Sequence, residues 1–321
     1  MKKTICVIFV ILAVASVCMF GFGCTEKSQE QTINVAVPDG APALAIAKML
    51  AGHSFDGYKV NYEIVAGTDI ATKLTSNQVD IAIIPTNLAA KLYNNGIKIK
   101  TVASNVYGLL YLVGTEEITS ISALRGEKIL CTGFGGTPDF VLQFVLNQYG
   151  LSTSDVTIEY ISQGSDAIAA LKGGTAKFAV LGEPAATMSV NRAGAQVLVD
   201  FQSEWEKSAG SYGYPQACTV VTDTVISEKS AFLKLFLKEM NNNVTWVQEN
   251  VDSVNSAIAA YNGKTQFATA AVVSRCNVKY VGALESKSEV VKYLEIMSTF
   301  SSQFIGGKLP DDGFYAGVSL D

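Results

Sequence analysis

The chain has 321 residues, 49% hydrophobic and 17% charged, a globular composition long enough for two lobes with real cores. Its net charge of −5 disfavours nucleic acid and anionic membrane surfaces as partners. His53 is the only histidine and follows Gly52 at a predicted helix end, which leaves neither an HExxH motif nor a Ser–His–Asp triad.

In chain order, Lys2 and Lys3 precede an apolar run, Ile5–Phe20, and then Gly21-Phe22-Gly23-Cys24. The run is short and a polar linker follows, so 1–23 is expected to be a secretory signal rather than a membrane span, with 24–32 as the linker. Gly23-Cys24 resembles a bacterial lipobox, in which the cysteine is lipidated and becomes the first residue; the pattern departs at Gly21, where leucine is preferred. Loss of 1–23 removes two lysines and no acid, taking the net charge from −5 to −7. Cys131, Cys218 and Cys276 then remain besides Cys24. They are widely spaced without a CxxC, so one disulfide at most is expected, its pairing open, and no zinc site.

A strand is expected over Ile33–Val37, turned by Pro38-Asp39-Gly40 into a helix over Ala41–Leu50 with Pro42 in its first turn. Another strand follows at Tyr58–Val65. Gly67–Ala90 then combines a Gly turn, Thr68 as a helix N-cap, a short helix, the apolar run Val79–Ile84, and Thr86-Asn87 opening the next helix. Such a continuous apolar run suits a parallel strand buried on both faces. Ile97–Val102 is expected as a strand, Ser104–Gly108 as a loop, and Gly108–Gly114 as a strand crossing between lobes. Beyond a short helix at Ile121–Arg125 come strand Lys128–Cys131, the Gly-rich loop Gly133–Thr137, helix Pro138–Tyr149 and strand Thr157–Ile161.

Gly164–Thr187 repeats Gly67–Ala90 without a gap, at an offset of 97 residues (67 to 164). Asp69 meets Asp166, Leu74 meets Leu171 and Ala82 meets Ala179, and Glu183-Pro184 stands where Thr86-Asn87 stood. Upstream, Val37–Leu50 parallels Gly133–Leu146. The rest is expected as strand Val197–Val199, an aromatic loop Phe201–Gln216, a second crossing strand Ala217–Thr222, and helices over Phe232–Asn250, Val251–Tyr261, Gln266–Ser274 and Ser286–Phe300.

Two similar α/β units facing each other would put both sets of strand-end loops on one cleft, because ligands of open α/β sheets sit beyond the carboxyl ends of the strands. The expected ligand-binding residues are Asp39, Gly40, Ala41, Thr68, Thr86 and Asn87 from the first unit, and Gly135, Gly136, Thr137, Ser165 and Glu183 from the second. Tyr212 and Tyr214 join them, as flat rings able to sandwich a planar ligand. Glu183 ends a buried strand, and a carboxylate there favours a cationic or N–H-rich ligand, unless it caps its own helix or bonds across the lobes. Gly135-Gly136-Thr137 before a helix suits an anion, but Gly133–Pro138 lacks the third spaced glycine of a dinucleotide fingerprint. Arg125, Arg192 and Arg275 are the only arginines, and none lies on a predicted strand-end loop, which counts against a sulfonate or phosphate receptor.

The runs VAVPDGAPALAIAKM, VDIAIIPTN, LLYLVG, CTGFGGTPD, FAVLGEPAAT and the tail CNVKYVGA…IGGKLPDDGFY together resemble periplasmic-binding-protein-like solute receptors, in the sulfonate, nitrate and thiamine-precursor group of ABC-importer lipoproteins. The resemblance implies an α/β fold of type II, with two mixed sheets flanked by helices and two interlobe crossing strands. It places 33–109 and 222–321 in one lobe and 110–221 in the other. It further implies a lipid-anchored, monomeric, exported protein that is not an enzyme, needs no cofactor or metal, and serves permease and ATPase partners. Its ligand would be a nitrogen-rich heterocycle or amine, with a sulfonate or nitrate-type anion as the alternative. A fold-related enzyme or a sensor without transport is the remaining alternative.

Overall fold

A computed structural model describes residues 30–210 and 213–320. The chain divides into Met1–Gln31 and a folded unit, Thr32–Asp321. The expected signal, Cys24 and Tyr212 lie outside the described residues. Among the described residues no helix is long and apolar enough to cross a membrane.

The folded unit is α/β with two mixed sheets. In the first, β1 (Gln31–Pro38) pairs in parallel with β3 (Ile81–Pro85), Val35 opposite Ile81. Ile81, Ala82, Ile83 and Ile84 are all fully buried, as a strand covered on both faces requires. β10 (Pro215–Thr222) inserts antiparallel between β3 and β4 (Ile99–Tyr107). β11 (Val278–Gly282) and β2 (Tyr58–Val65) form the edges, giving the order β11-β4-β10-β3-β1-β2. β2 alternates between half-buried and exposed residues, the pattern of a one-sided edge strand.

The second sheet has the order β7-β6-β8-β5-β9, from β5 (Leu110–Gly114), β6 (Lys128–Thr132), β7 (Thr157–Ile161), β8 (Phe178–Gly182) and β9 (Gln196–Asp200). β6 runs parallel to β7 and β8, whereas β5 is antiparallel to β8 and β9. The repeat is therefore structural. A shift of 97 residues carries Ile81–Pro85 onto 178–182, the residues of β8, and the parallel pair β1/β3 has its counterpart in β6/β8.

Helices cover both sheets: α1 (Ala41–Leu44), α2 (Ala47–Leu50), α3 (Ile70–Thr75), α4 (Thr86–Asn94), α5 (Thr137–Gln148), α6 (Gly164–Lys172), α7 (Ala185–Ala193), α8 (Phe201–Ala209), α9 (Asp223–Glu228), α10 (Ser230–Glu249), α11 (Val251–Ala260), α12 (Ala270–Arg275) and α13 (Lys287–Phe300). The seam expected near Asn250 separates α10 from α11.

Several expectations change. The helix over 41–50 is broken at Ala45-Ile46. Residues 104–107 continue β4 rather than looping, because the polar Ser104 and Asn105 are buried with partners: Ser104 Oγ lies 2.9 Å from Ser286 Oγ, and Thr219 donates to Asn105. Much of the expected aromatic loop is α8, begun by the Asp200 carboxylate accepting from Gln202 N at 2.9 Å, with Phe201 and Trp205 buried one turn apart. β10 lies wholly within the first sheet instead of crossing between the sheets, and β5 lies within the second, so the passage from β4 is only Gly108-Leu109. β11 has no counterpart among the expected elements.

Candidate functional site

The carboxyl ends of β1, β3, β6 and β8, at Pro38, Pro85, Thr132 and Gly182, open onto one cavity of about 990 Å³ between the sheets. Helix starts surround it. α4 and α5 begin there without a side-chain cap, which leaves the positive ends of their dipoles at the edge of the space. A smaller cavity of about 330 Å³ includes the amino end of β4 and carries charges of both signs, such as Lys98, Lys100 and Asp223.

Asp39, Gly40, Ala41, Thr68, Asn87, Gly135, Gly136, Thr137 and Glu183 all line the larger cavity. Thr86, Ser165 and Tyr214 do not. Thr86 is fully buried, and its hydroxyl, with that of Thr101, partly offsets the burial that pushes the Cys218 thiol up to about 11. Ser165 is exposed in the first turn of α6, whose cap is the reciprocal pair Gln163 and Asp166. Tyr214 is fully buried, stacked on Tyr293 at 5.9 Å and edge-on to Trp205 at 5.2 Å, so it belongs to the core and not to a ligand sandwich.

Hydrogen bonding redefines several of the lining groups. The Asp39 carboxylate accepts from Gly40 N at 2.9 Å, from Lys264 N at 2.8 Å and from Thr265 N, tying the strand end to a distant loop. Glu183 has only 1% of its side chain exposed. Its Oε1 accepts from Arg275 Nε at 2.7 Å and from Thr187 Oγ1 at 2.8 Å, and its Oε2 accepts from Thr187 N at 3.2 Å. Both alternatives weighed for it, capping its own helix and bonding across the sheets, are thus realised together. The carboxylate already has its cation, which removes the physical basis for an amine-selecting role.

The second wall is held by a residue that sequence reasoning passed over. Asp139, fully buried in the first turn of α5, accepts from Gly135 N at 2.8 Å, Gln143 Nε2 at 2.7 Å and the Tyr160 hydroxyl at 2.7 Å. It pins the Gly-rich loop and places a negative charge at the helix start where an anion was expected. The Thr137 hydroxyl is likewise occupied, 2.8 Å from the Tyr293 hydroxyl. Gly133 and Gly135 adopt φ of 71° and 70°, and between them Phe134 stands 77% exposed on the cavity lining.

The first wall differs. Asn87, Leu88 and Lys91 line the cavity from one face of α4, at the i, i+1 and i+4 positions of one turn. Among the described residues Lys91 forms no ion pair, while Asp39 and Glu183 are the only acidic residues lining the cavity and both are engaged by protein donors. Asn87 Nδ2 donates to Phe304 O at 3.4 Å, which turns its Oδ1 away from that carbonyl; among the described residues Oδ1 has no partner, nor has Gln216 Oε1. Phe304 also approaches the opposite wall closely, since a Cβ on Gly135 would lie 3.0 Å from its ring. Lys91 was legible as Asn87 plus one helical turn. Gln216, Phe304 and Arg275 were not, because they reach the site from distant segments.

The family model described as NMT1/THI5 like matches residues 55–254. No curated protein sequence matches the chain. Among solved structures, an ABC transporter from Parabacteroides distasonis is 26% identical, with a TM-score of 0.77 over 89% of this chain and 99% of that one. The periplasmic aliphatic sulphonate binding protein SsuA of Escherichia coli is 15% identical, with a TM-score of 0.68 over 87% and 89%. The alkanesulfonate-binding protein SsuA of Xanthomonas axonopodis pv. citri, bound to MOPS, is 17% identical, with a TM-score of 0.64 over 87% and 94%. The last two share the fold. Over more than half its length the chain carries the family's sequence pattern, and its two mixed sheets enclose a cavity at their strand ends: it belongs to the NMT1/THI5-like family and has the two-lobed type II periplasmic-binding-protein-like fold.

Proposed function

We propose that the protein is the solute-binding component of an ABC importer, exported and anchored through Cys24, that holds a small organic molecule between its lobes and presents the closed form to a permease coupled to an ATPase. It acts by binding alone, as a monomer, without a catalytic step, cofactor or metal. The lobes are 33–109 with 215–321, which takes in β10 because it joins the first sheet, and 110–214. Closure follows from differential affinity: a ligand touching both walls binds the closed arrangement more tightly and shifts the population towards it.

The observation that carries this reading is the cavity of about 990 Å³ at the carboxyl ends of both sheets, in the volume range of small-molecule sites. Its charges favour a ligand with an anionic end. The two carboxylates are engaged, Lys91 has no ion pair among the described residues, and α4 starts without a side-chain cap. Leu88, Leu109, Phe134 and Phe304 supply apolar surface for an organic body. The sulfonate-binding names of two structural neighbours agree with that class. A second ligand class has its own support. The amide oxygens of Asn87 and Gln216, without a partner among the described residues, would accept hydrogen bonds from the N–H groups of a nitrogen-rich heterocycle.

Thermal unfolding with 1-hexanesulfonate and with 4-aminopyrimidine tests both. A ligand at a hundred times its Kd stabilises by about 2.7 kcal/mol, enough to raise the midpoint visibly. A rise with the sulfonate that disappears in Lys91→Glu supports the anionic class. A rise with the pyrimidine that disappears in Asn87→Ala supports the second. No rise with either, and no compound released on denaturing the purified protein, contradicts the receptor function.

A further inference from the structure

The two sheets are joined across their boundary by one charged group from each side. Arg275 ends α12, three residues before β11 of the first sheet begins, and Glu183 follows β8 of the second. The guanidinium serves two acceptors on the far side. Its Nε donates to Glu183 Oε1 at 2.7 Å and its Nη2 donates to Thr187 Oγ1. Thr187 in turn donates to both carboxylate oxygens through its hydroxyl and its backbone N–H, so the acceptor end is fixed to the first turn of α7.

The donor end is fixed as well. Asn277, in the left-handed region at φ 50°, donates from Nδ2 to Gly108 O at 3.2 Å, and its carbonyl accepts from Tyr107 N at 3.1 Å. Glu183 N donates to Leu109 O at 3.2 Å. The ion pair therefore stands beside Gly108-Leu109, the passage between β4 and β5, with Glu183 bound to Leu109 and Asn277, two residues after Arg275, bound to Gly108.

We infer that Arg275 is an interlobe positioning residue: through Glu183 and Thr187 it holds the two lobes at the angle seen here. The inference needs the two-lobe arrangement and not the proposed ligand. Its force comes from burial asymmetry. The Glu183 side chain is 1% exposed and Arg275 is 44% exposed. A swing that withdraws the arginine leaves a buried carboxylate without its cation, whereas the arginine itself returns to water. Opening is opposed at the carboxylate. The fork also carries direction, because Nε and Nη2 must meet two acceptors together, which a lysine ammonium does not reproduce.

Small-angle scattering of the ligand-free protein reads the lobe angle as a radius of gyration. Arg275→Gln and Glu183→Gln are expected to increase it, Arg275→Lys to give an intermediate value, and the double variant to match the larger single one, since both substitutions remove one interaction. Thermal unfolding checks that each variant is folded; Glu183→Gln keeps the side-chain shape and one acceptor oxygen for Thr187 if Arg275→Gln does not fold. An unchanged radius in the folded single variants overturns the inference, as does a double variant whose increase is the sum of the two. No ligand enters the measurement, so it stands or falls apart from the solute-binding function.

Discussion

At the residue scale, the proposed preference for an anionic end turns on which charges remain free. Lys91 sits one helical turn from Asn87 and has no ion-pair partner among the described residues. Replacing it with glutamine is expected to weaken 1-hexanesulfonate binding about tenfold, which is roughly 1.4 kcal/mol, with the unfolding midpoint of the free protein nearly unchanged. Equal affinities by titration would remove Lys91 from the site. Cys131, Cys218 and Cys276 are buried and free, and burial pushes all three thiols up, Cys218 to about 11. These three are expected to resist an aromatic disulfide reagent at pH 8 until the protein is unfolded, since the thiolate is the reactive form. Rapid labelling of any of them in the native protein, located by peptide mass, would contradict their environment. The strand-end logic brought Asn87, Gly135, Thr137 and Glu183 to one cavity, because sheet ends are readable from local pattern. The role of Glu183 was not readable, because its partner Arg275 lies 92 residues away. Tyr214 was misplaced for a similar reason: its neighbours in space, Trp205 and Tyr293, come from two helices distant in sequence and pack against each other as well.

At the scale of elements, the doubled unit was the most legible feature, since a buried parallel strand writes a continuous apolar run and a Gly turn marks the helix before it. α8 and the end of β4 were hidden for opposite reasons. In α8 a Gly-rich tail masked a helix capped by Asp200, and in β4 polar residues lay in a buried strand because each had a partner. The helices that frame the passage between the sheets meet in an aromatic group. Phe140 of α5 is fully buried and packs edge-on against Trp205 at 5.9 Å, Tyr293 at 5.7 Å and Phe300 at 5.3 Å. Phe140→Ala is expected to destabilise the fold by about 3–5 kcal/mol through lost burial and the cavity left behind. A chemical denaturation midpoint close to wild type would mean that the group is not a shared core. Gly108 is required for close approach. A Cβ there would lie 2.8 Å from Tyr214 Cε1, a ring with no room to retreat. Gly108→Ala is expected to cost about 1–3 kcal/mol as an overpacked core does, read from the same denaturation curves.

At the scale of the molecule, one cluster of buried apolar residues extends from the first sheet through Phe140, Trp205 and Tyr293 to β6 and β8, and a smaller one lies around Leu130, Ala167 and Leu171 of the second sheet. The sheets thus share a core on one side and part around the cavity on the other. That geometry permits closure by rotation about the joined side, with Arg275 and Glu183 beside the passage. Length and the repeat pointed to two lobes, while the proposed anionic ligand class rests on the hydrogen bonds of Asp39 and Glu183, which join segments distant in sequence. The central claim is that this cavity receives an organic molecule by its anionic end. Calorimetric titration of the purified protein with 1-hexanesulfonate and with 1-hexylamine tests it most directly, because the two carry the same apolar chain and opposite charges. Saturable one-site binding of the sulfonate, with none of the amine, is the expected result. Binding of the amine that is lost in Glu183→Gln would contradict the account and return the carboxylate to the ligand.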